Sequence, residues 1–282
     1  MRNKILCLWK KHQFIILLIS KFKLLISIAQ ISDTHLLCPV NVGETDIVKQ
    51  RINNLKRCVD SINNLDPQPD IIIHTGDVTQ NGTVEEYKIA DSILKKLKQR
   101  VFFTPGNRDN KPNLRKIFTQ SLSEKTDKEF YIYSIEFKGF KLISMDTFCS
   151  NSNKGELTSS KIKLLSNEIS RSKSLPTAIF MHHPPYNVSD NEFERIEYVD
   201  IEEVKKFHYF LKNKSNIVAL FCGHIHKYFE SNIGHIKTFT MPSIATDLSW
   251  DKEISKKSKK IQYLLHSFSK KTGIYTKKIL VQ

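Results

Sequence analysis

The sequence predicts an α/β fold, and two observations support this prediction. Short runs of β-branched and other apolar residues, typical of buried strands, alternate with segments whose apolar residues recur at the helical period. From residue 23 to residue 104 the predicted order is strand, helix, strand, helix, strand, which indicates parallel α/β organisation. The chain has 282 residues, 40% of them hydrophobic and 26% charged, which suits a globular protein with a sizeable core.

The first predicted strand covers residues 23–31 and ends in Ser32-Asp33-Thr34-His35. An amphipathic helix follows it, because apolar residues recur there three or four positions apart. These residues are Val48, Ile52, Leu55, Val59 and Ile62. The second strand, residues 71–75, consists largely of isoleucine and runs directly into Gly76-Asp77. Ligands of open α/β sheets bind at such carboxyl ends of strands, so Asp77 is a candidate site residue.

A second helix is predicted to start at a capping box formed by Thr83 and Glu86, with an apolar face that extends to Leu97. The strand at residues 101–104 is then broken by Pro105-Gly106-Asn107. Residues 131–137 and 140–145 read as a hairpin turning at Lys138-Gly139. Two more helices are expected at residues 159–171 and 201–211, with an irregular loop at 186–199. Further strands are expected at residues 177–181, 217–222, 236–241, 261–268 and 274–280.

Five predicted strands end in residue types that bind metal ions. The clusters are Asp33-Thr34-His35, Gly76-Asp77, Gly106-Asn107-Arg108-Asp109, His182-His183 and Gly223-His224-Ile225-His226. Carboxylate, amide and imidazole ligands without thiolate favour manganese, iron or zinc over calcium. In the pairs Asp33/His35 and His224/His226 the side chains would point the same way on an extended chain. A lone histidine is more often structural, but five strand ends with the same chemistry favour a metal site.

This ordered set of motifs resembles the five motifs of the calcineurin-like metallophosphoesterase superfamily, over about residues 23–250. The surrounding residues resemble the class III cyclic nucleotide phosphodiesterases and their glycerophosphodiesterase relatives. They are Gln30 to Leu36, Thr75 to Thr79, Gly155-Glu156-Leu157 and Met181 to Pro185. The resemblance implies a four-layer α/β/β/α sandwich of two mixed sheets flanked by helices, with metal ions at one rim. It therefore predicts one metallophosphoesterase domain over residues 23–282, preceded by an extension of residues 1–22.

The resemblance also implies a role for each site residue. It places Asp33, His35 and His226 on one ion, Asn107, His182 and His224 on the other, and Asp77 between the two. A hydroxide bridging the ions would be the nucleophile. Catalytic roles are expected for Asn107, Arg108 and Asp109, with Asp109 orienting the ligands rather than binding an ion. For His183 two alternatives remain: the same orienting role, or a packed imidazole without a role at the site.

One residue departs from the family pattern. Arg108 stands where the family usually has a histidine that contacts the phosphate and can protonate the leaving oxygen. Arginine keeps the positive charge and the hydrogen-bond donors, but it holds its protons too tightly to act as an acid. This departure does not affect the predicted metal ligands, but it puts in question how the leaving group is protonated.

The predicted function is hydrolysis of a small phosphodiester by an enzyme with two divalent metal ions, iron or manganese first and zinc as an alternative. The leading substrate is 3',5'-cyclic AMP, because the stretch between His182 and His224 is too short to hold a large cap domain. A hydrolase of glycerophosphodiesters, nucleic acid or lipid-linked phosphate is a second hypothesis. A third hypothesis is a binding module that uses the same fold as a scaffold without catalysis. Loss of metal ligands would indicate such a scaffold.

Net charge and cysteine content limit the possible binding partners and the cellular compartment. The net charge is +15, which either reflects lysine-rich solvated surfaces or attracts an anionic partner such as a nucleotide, a nucleic acid or a membrane surface. Lysine runs near the C-terminus, such as residues 256–260, lack the interleaved aromatic residues of a single-strand binding platform. The five cysteines form no Cys-x-x-Cys pair, which fits a reducing compartment and predicts a cytoplasmic protein. A homodimer is compatible with the sequence.

Residues 1–22 allow three interpretations. Basic residues precede the apolar run 14–19, as in a signal peptide, but Lys21 and Lys23 follow at once. A membrane-spanning helix needs about 20 apolar residues, so this run is too short to cross a bilayer. A peripheral extension is the first interpretation, an interfacial membrane contact the second and a cleaved signal the third.

Overall fold

The computed structural model describes residues 26–119, 127, 129–171, 174–189, 196–248 and 260–281. The predicted extension of residues 1–22 and residues 256–259 of the lysine-rich run lie outside the described residues. None of the described helices is both long and apolar enough to cross a membrane.

Strands and helices alternate along most of the chain. The strands are β1 Ile26–Ile31, β2 Ile71–His74, β3 Val101–Phe103, β4 Tyr133–Phe137, β5 Phe140–Met145, β6 Thr177–Met181, β7 Ile217–Cys222, β8 Phe229–Ile233, β9 Ile236–Thr240, β10 Gln262–Ser269 and β11 Gly273–Leu280. The helices are α1 Pro39–Val42, α2 Asp46–Asn63, α3 Val84–Leu94, α4 Lys111–Ile117, α5 Ser159–Ser170 and α6 Ile201–Lys212. The two amphipathic helices predicted in the first half of the chain correspond to α2 and α3.

The strands form two mixed sheets. In the first sheet the order is β11-β10-β1-β2-β3, with β1, β2 and β3 parallel and β10 and β11 antiparallel to their neighbours. In the second the order is β4-β5-β6-β7-β9-β8, with a parallel centre and antiparallel strands at both edges. Parallel strands direct their carboxyl ends to one edge of a sheet, so each sheet offers one edge for a ligand.

The predicted four-layer sandwich is confirmed by the alternation of side chains along the second sheet. Phe180 and Phe221 belong to the apolar core that also contains the first sheet and the buried faces of α2, α3 and α4. Ile179 and Leu220, one residue away, pack instead with the buried faces of α5 and α6. Because successive strand residues point to opposite faces, the second sheet lies between the first sheet and these two helices.

The local structure follows the sequence closely at several points. Thr83 and Glu86 form the predicted capping box at the start of α3, which ends at Leu94, so Leu97 lies beyond the helix rather than on it. The hairpin of β4 and β5 turns at Lys138-Gly139, and both residues have positive φ. Among the described residues, four elements are additional to the prediction: α1, α4, β8 and the 3-10 turn Thr246–Leu248. Each is short or largely polar, so it carries little hydrophobic periodicity.

Candidate metal centre

The predicted ligands meet where the carboxyl ends of the two sheets come together. The loops after β1, β2, β3, β6 and β7 carry all of them. Backbone hydrogen bonds join these loops, since the amide of Asp33 donates to the carbonyl of Gly76 and the amide of Gly223 to the carbonyl of His182, both at 3.0 Å. The described structure therefore brings all seven predicted ligands to one place, drawn from both sheets.

The backbone at the ligands is turned rather than extended. Asp33, His35, Asp77, His224 and His226 all have φ between 42° and 68°, in the left-handed region. The expectation that the Asp-x-His and His-x-His pairs lie on extended chain is therefore wrong. Side chains other than glycine pay about 1–2 kcal/mol each for this conformation, and it persists only where the surroundings fix it. The sharp turns aim the side chains into the space between the sheets.

Two glycines make the close approach of these loops possible. A Cβ atom at Gly106 would lie 2.2 Å from Oδ1 of Asp77, and one at Gly223 would lie 2.2 Å from Oγ of Ser32. Neither distance can be accommodated without moving the loops. Glycine at position 106 lets the loop after β3 lie against the carboxylate of Asp77, and glycine at position 223 lets the loop after β7 lie against Ser32 and Asp33.

The first group of ligands consists of Asp33, His35, Asp77 and His226. Nε2 of His226 lies 3.2 Å from Nε2 of His35 and 3.3 Å from Oδ1 of Asp33, and Nε2 of His35 lies 3.5 Å from Oδ2 of Asp77. Atoms that bind one ion at about 2.1 Å, at angles near 90–110°, are separated by about 3.0–3.4 Å. The spacing of this group therefore suits a single cation.

A second group lies on the other side of Asp77. Nε2 of His182 is 3.0 Å from Oδ1 of Asn107, and Nδ1 of His224 is 3.1 Å from the same oxygen. Nε2 of His182 is also 3.5 Å from Oδ2 of Asp77, the distance found to His35 on the first side. One carboxylate oxygen therefore lies equally near both groups, as a bridging ligand would.

The tautomers of two histidines are set by backbone carbonyls. Nδ1 of His182 is 2.8 Å from the carbonyl oxygen of Thr75, and Nδ1 of His226 is 2.9 Å from that of Leu248. A carbonyl only accepts, so both Nδ1 atoms carry the hydrogen and both Nε2 atoms present lone pairs to the site. Such partners orient and strengthen metal-binding imidazoles.

Converging lone pairs are the observation that tests whether a metal fits. Nε2 of His35 and Nε2 of His226 face each other at 3.2 Å, as do Nε2 of His182 and Oδ1 of Asn107 at 3.0 Å. Lone pairs at these distances repel unless a proton or a cation lies between them. With oxygen and nitrogen donors, a buried bridging carboxylate and no thiolate, these residues fit divalent transition-metal ions.

Without a cation, the buried carboxylates draw protons onto neighbouring histidines. Burial alone would raise the pKa of Asp33, but the attraction of His226 and His182 lowers it to about 2. Burial likewise opposes the charged form of His182, yet Asp77 raises its pKa to about 9. Divalent cations would displace these protons, because metal-binding imidazoles are neutral.

His183 has a ring nitrogen within 4.8 Å of the ligand atoms of His182 and His224, but both of its ring nitrogens are already hydrogen-bonded within the protein. Its Nε2 is 3.0 Å from the carbonyl oxygen of Asn153, and its Nδ1 is 2.9 Å from the hydroxyl of Thr147. The carbonyl fixes the hydrogen on Nε2, so Nδ1 accepts from the hydroxyl. Burial holds the pKa of His183 well below its usual range. His183 is thus a neutral group that holds the loop of residues 147–153.

Asp109 is buried and bonded to groups outside the ligand set. Its carboxylate accepts hydrogen bonds from the amides of Val78, Thr79 and Gly106 and from the hydroxyl of Tyr87. It therefore ties the loop after β2 to the loop after β3, which fits the predicted orienting role.

Arg108 has a backbone contact at the centre and an exposed side chain. Its amide donates to Oδ1 of Asp77 at 2.7 Å, which fixes the second oxygen of the bridging carboxylate. Arg108 is exposed and follows Asn107 directly in the chain.

The sequence prediction did not include the groups that hold the ligand histidines. The carbonyls of Thr75 and Leu248 act through the backbone, so no residue type reveals them. Oε1 of Gln80 lies 3.1 Å from Nδ1 of His35. Gln80 follows Asp77 by three residues in the same loop, and this closeness in sequence was the one signal that could have identified it. Arg51 donates to the same oxygen of Gln80 but is 29 residues away in the sequence, so no local pattern links the two.

Comparison with known proteins agrees with this geometry. Residues 26–228 match the sequence profile of the calcineurin-like phosphoesterases. The chain belongs to the calcineurin-like phosphoesterase family. A probable glycerophosphodiester phosphodiesterase (GpdQ) of Arcobacter nitrofigilis is 27% identical over 88% of this chain and 91% of its own. The 3',5'-cyclic adenosine monophosphate phosphodiesterase CpdA of Vibrio vulnificus is 25% identical over 77% of this chain and 76% of its own.

Solved structures share the fold at low sequence identity. A dimetal phosphatase from Danio rerio superposes with a TM-score of 0.64 at 11% identity, covering 91% of this chain and 99% of its own. A purple acid phosphatase from yellow lupin gives a TM-score of 0.62 at 9% identity, covering 92% of this chain and 52% of its own. The chain is thus a metal-dependent hydrolase that acts on phosphoesters, with candidate metal ligands in place.

Proposed function

We propose that this family member binds two divalent cations and hydrolyses a small phosphodiester, with 3',5'-cyclic AMP as the leading substrate. The observation that supports two cations is the position of Asp77 Oδ2, 3.5 Å from Nε2 of His35 and 3.5 Å from Nε2 of His182. Each histidine belongs to a separate group of converging donors. One carboxylate shared by two groups is the arrangement that two-metal hydrolysis requires.

When bound, such a pair of cations lowers the pKa of water and neutralises charge that develops on the phosphoryl oxygens. Asp33, His35 and His226 would hold the first cation, and Asn107, His182 and His224 the second. The donor set favours manganese or iron, with zinc as an alternative. The protein contributes rigidity, because the carbonyls of Thr75 and Leu248 and the left-handed backbone fix the ligands in advance.

Arg108 is the group that would contact the substrate from the protein side. Arg108 is exposed and follows Asn107 directly in the chain, so its guanidinium would donate to a non-bridging phosphoryl oxygen and stabilise negative charge there. It cannot release a proton to the leaving alkoxide. His183 cannot do so either, because both of its ring nitrogens are bonded within the protein and burial keeps it neutral. Solvent water is therefore the proton source in this proposal.

Two substrate classes are supported by specific observations. Cyclic nucleotides are the first, because several relatives carry that name and because, among the described residues between β6 and β7, α6 is the one helix and no inserted domain covers the site. Glycerophosphodiesters are the second, since the GpdQ relative of Arcobacter nitrofigilis matches the largest share of this chain among the relatives named above. Both substrates are small diesters with an alkoxide leaving group.

The test is a comparison of turnover on three substrates by protein loaded with Mn²⁺: 3',5'-cyclic AMP, glycerophosphocholine and bis-p-nitrophenyl phosphate. We expect hydrolysis of the nitrophenyl diester, and a larger kcat/KM for cyclic AMP than for glycerophosphocholine. Asp77→Ala, which removes the shared ligand, is the control for contaminating phosphatases. No turnover of any substrate with Mn²⁺ or Fe²⁺ would contradict the proposal, and a preference for glycerophosphocholine would replace the first substrate class by the second.

A further inference from the structure

A buried arginine on helix α2 connects the two histidines of the first group. Arg51 is 5% exposed and lies outside the predicted ligand set. Its Nη1 donates to the backbone carbonyl of His35 at 2.9 Å and to Oε1 of Gln80 at 3.0 Å. Its Nε and Nη2 donate to both carboxylate oxygens of Asp247, the closest contact being 2.6 Å.

The contact with Gln80 determines the tautomer of His35. An amide side chain can present either its oxygen or its nitrogen, but a guanidinium only donates and does not lose its charge. The atom of Gln80 that faces Arg51 must therefore be the oxygen. The same oxygen lies 3.1 Å from Nδ1 of His35, so Nδ1 must carry the hydrogen and Nε2 must present its lone pair to the site.

The contact with Asp247 acts on His226 in a similar way. Asp247 lies in the 3-10 turn Thr246–Leu248, and the carbonyl of Leu248 accepts from Nδ1 of His226 at 2.9 Å. A two-pronged contact between guanidinium and carboxylate fixes orientation as well as distance. Arg51 therefore anchors the turn whose last carbonyl sets the tautomer of the second histidine.

Neighbouring residues of α2 hold the same turn. Gln50 donates to the hydroxyl of Thr246 at 3.1 Å, and Asn54 donates to the carbonyl of Ile244 at 3.0 Å. These residues and Arg51 occupy adjacent positions on one side of the helix. The second group of ligands has a different support, since Nδ1 of His182 bonds to the carbonyl of Thr75.

We propose that Arg51 is a positioning residue for the cation site of Asp33, His35, Asp77 and His226, acting through Gln80 and Asp247 on both histidines at once. The proposal rests on the two-cation site of the proposed function. It goes further because it makes the two sites separable: loss of Arg51 weakens the first site and spares the site of Asn107, His182 and His224.

The first test reads histidine tautomers in the metal-free protein by long-range ¹H–¹⁵N correlation spectra. In the wild type, His35 should carry its hydrogen on Nδ1. Arg51→Met frees the amide of Gln80 to turn, and His35 should then become a mixture of tautomers. The double variant Arg51→Met, Gln80→Glu should restore the Nδ1 form, because a carboxylate only accepts. A merely structural loss would not be repaired by Gln80→Glu.

The second test is calorimetric titration of the metal-free protein with MnCl₂. Support of a metal ligand by its partner is typically worth about 10–100-fold in affinity. We expect Arg51→Met to lower the affinity of one class of site by about this factor, the class that His226→Ala abolishes, and to change the other by less than about threefold. Lys56→Met, an exposed cation on the same helix, is the matched control and should change neither class.

The outcomes separate the two proposals. An unchanged His35 tautomer in Arg51→Met, or equal weakening of both cation sites, would overturn the positioning role. Absence of Mn²⁺ binding in the wild type would instead contradict the proposed function, while the tautomers could still be read. If Arg51→Met does not fold, Gln80→Met keeps the contact between Arg51 and Asp247 and should release the tautomer of His35 alone. A fixed Nδ1 form in that variant would also overturn the inference.

Discussion

Arg108 shows how much a single residue can change in an otherwise complete site. Every predicted metal ligand lies within one of the two donor groups, yet the residue that we propose to contact the phosphate is a cation that does not release protons. The backbone amide of residue 108 donates to Asp77, and this hydrogen bond does not depend on the side chain at that position. The identity of residue 108 should therefore affect the chemistry of the leaving group rather than metal binding.

Arg108→His should consequently raise the rate on alkyl diesters much more than on nitrophenyl diesters. An alkoxide needs a proton as it leaves, and help from a general acid is worth about 10²–10⁴-fold, whereas nitrophenolate leaves without it. The measurement is kcat/KM for cyclic AMP and for bis-p-nitrophenyl phosphate in both proteins. Arg108→Ala is the control, and it should slow both substrates because it removes the charge that we propose to contact the phosphate. Equal effects of Arg108→His on both substrates would rule out this account.

Gly106 gives a second prediction at this scale. An alanine Cβ here would lie 2.2 Å from Oδ1 and 2.3 Å from the backbone nitrogen of Asp77, so the loop itself must move. We expect Gly106→Ala to reduce kcat/KM by about 100-fold or more, because displacement of about 1 Å at a catalytic group has this effect. Elemental analysis should show loss of both metal ions, since Asp77 lies between the two groups.

Gly234→Ala is the matched control for Gly106→Ala. Gly234 has positive φ, which Gly106 does not, but a Cβ there would meet only the flexible side chain of Lys212, at 3.4 Å. Gly234→Ala should lower the folding stability through backbone strain, and its kcat/KM should equal that of the wild type. Full activity of Gly106→Ala would show that the loop around Asp77 is more adaptable than the structure indicates.

At the scale of elements, strand β10 carries a polar network into the space between the sheets. Nε2 of His266 lies 2.9 Å from Oε1 of Gln30, and Nδ1 lies 2.7 Å from the hydroxyl of Thr276. The ring stacks on Phe221 with centroids 4.1 Å apart. Gln30 continues the network by donating to the hydroxyl of Thr75. Burial lowers the pKa of His266 to about 3, so the folded protein holds this imidazole neutral.

This network predicts a pH dependence of stability. The unfolded chain takes up a proton on His266 below about pH 6.5, while the folded protein does not until about pH 3. The contribution of His266 to stability is therefore nearly complete above pH 6.5 and falls by about 1.4 kcal/mol per pH unit as the pH decreases between these values. Urea unfolding of the metal-free protein at pH 8, 6.5 and 5 measures the slope.

His266→Gln is the variant that isolates this residue. It should be less stable than the wild type at pH 8, because the stacking on Phe221 is lost, but it should lose about 2 kcal/mol less between pH 6.5 and pH 5. Other buried histidines, such as His74, contribute equally to both proteins and cancel in the comparison. Parallel curves for the two proteins would show that the pKa of His266 is the same in the folded and the unfolded state.

The sequence could predict most elements because their signals are local. The capping box of α3 and the apolar face of α2 lie within single segments, and both are found where the pattern indicates. Strand β8 lies at a sheet edge, exposes alternate polar residues and was missed for that reason. The candidate site could be predicted because its ligands follow strands. The positive φ angles, the carbonyl of Leu248 and the contact of Arg51 with Asp247 depend on distant packing, so no local pattern reveals them.

For the whole molecule, the candidate metal centre links the two sheets. Asp33, Asp77 and Asn107 follow strands of the first sheet, whereas His182 and His224 follow strands of the second. Each group of donors includes residues from both sheets, because Oδ1 of Asn107 lies beside His182 and His224 in the second group. Bound cations would therefore hold the halves of the sandwich together, and folding stability would depend on metal concentration.

Metal binding should accordingly raise the unfolding temperature of the whole domain. A ligand that binds only the folded state at 100 times its Kd stabilises by about 2.7 kcal/mol per site, which corresponds to a rise of about 5–10 °C for a protein of this size. The measurement is thermal unfolding of metal-free protein with increasing MnCl₂. His226→Ala and His182→Ala should each retain part of the rise, because each removes a ligand of one group. Asp77→Ala should lose nearly all of it, because it removes the ligand shared by both. A rise in Asp77→Ala equal to that of the wild type would mean that Mn²⁺ stabilises the protein from somewhere other than the space between the sheets.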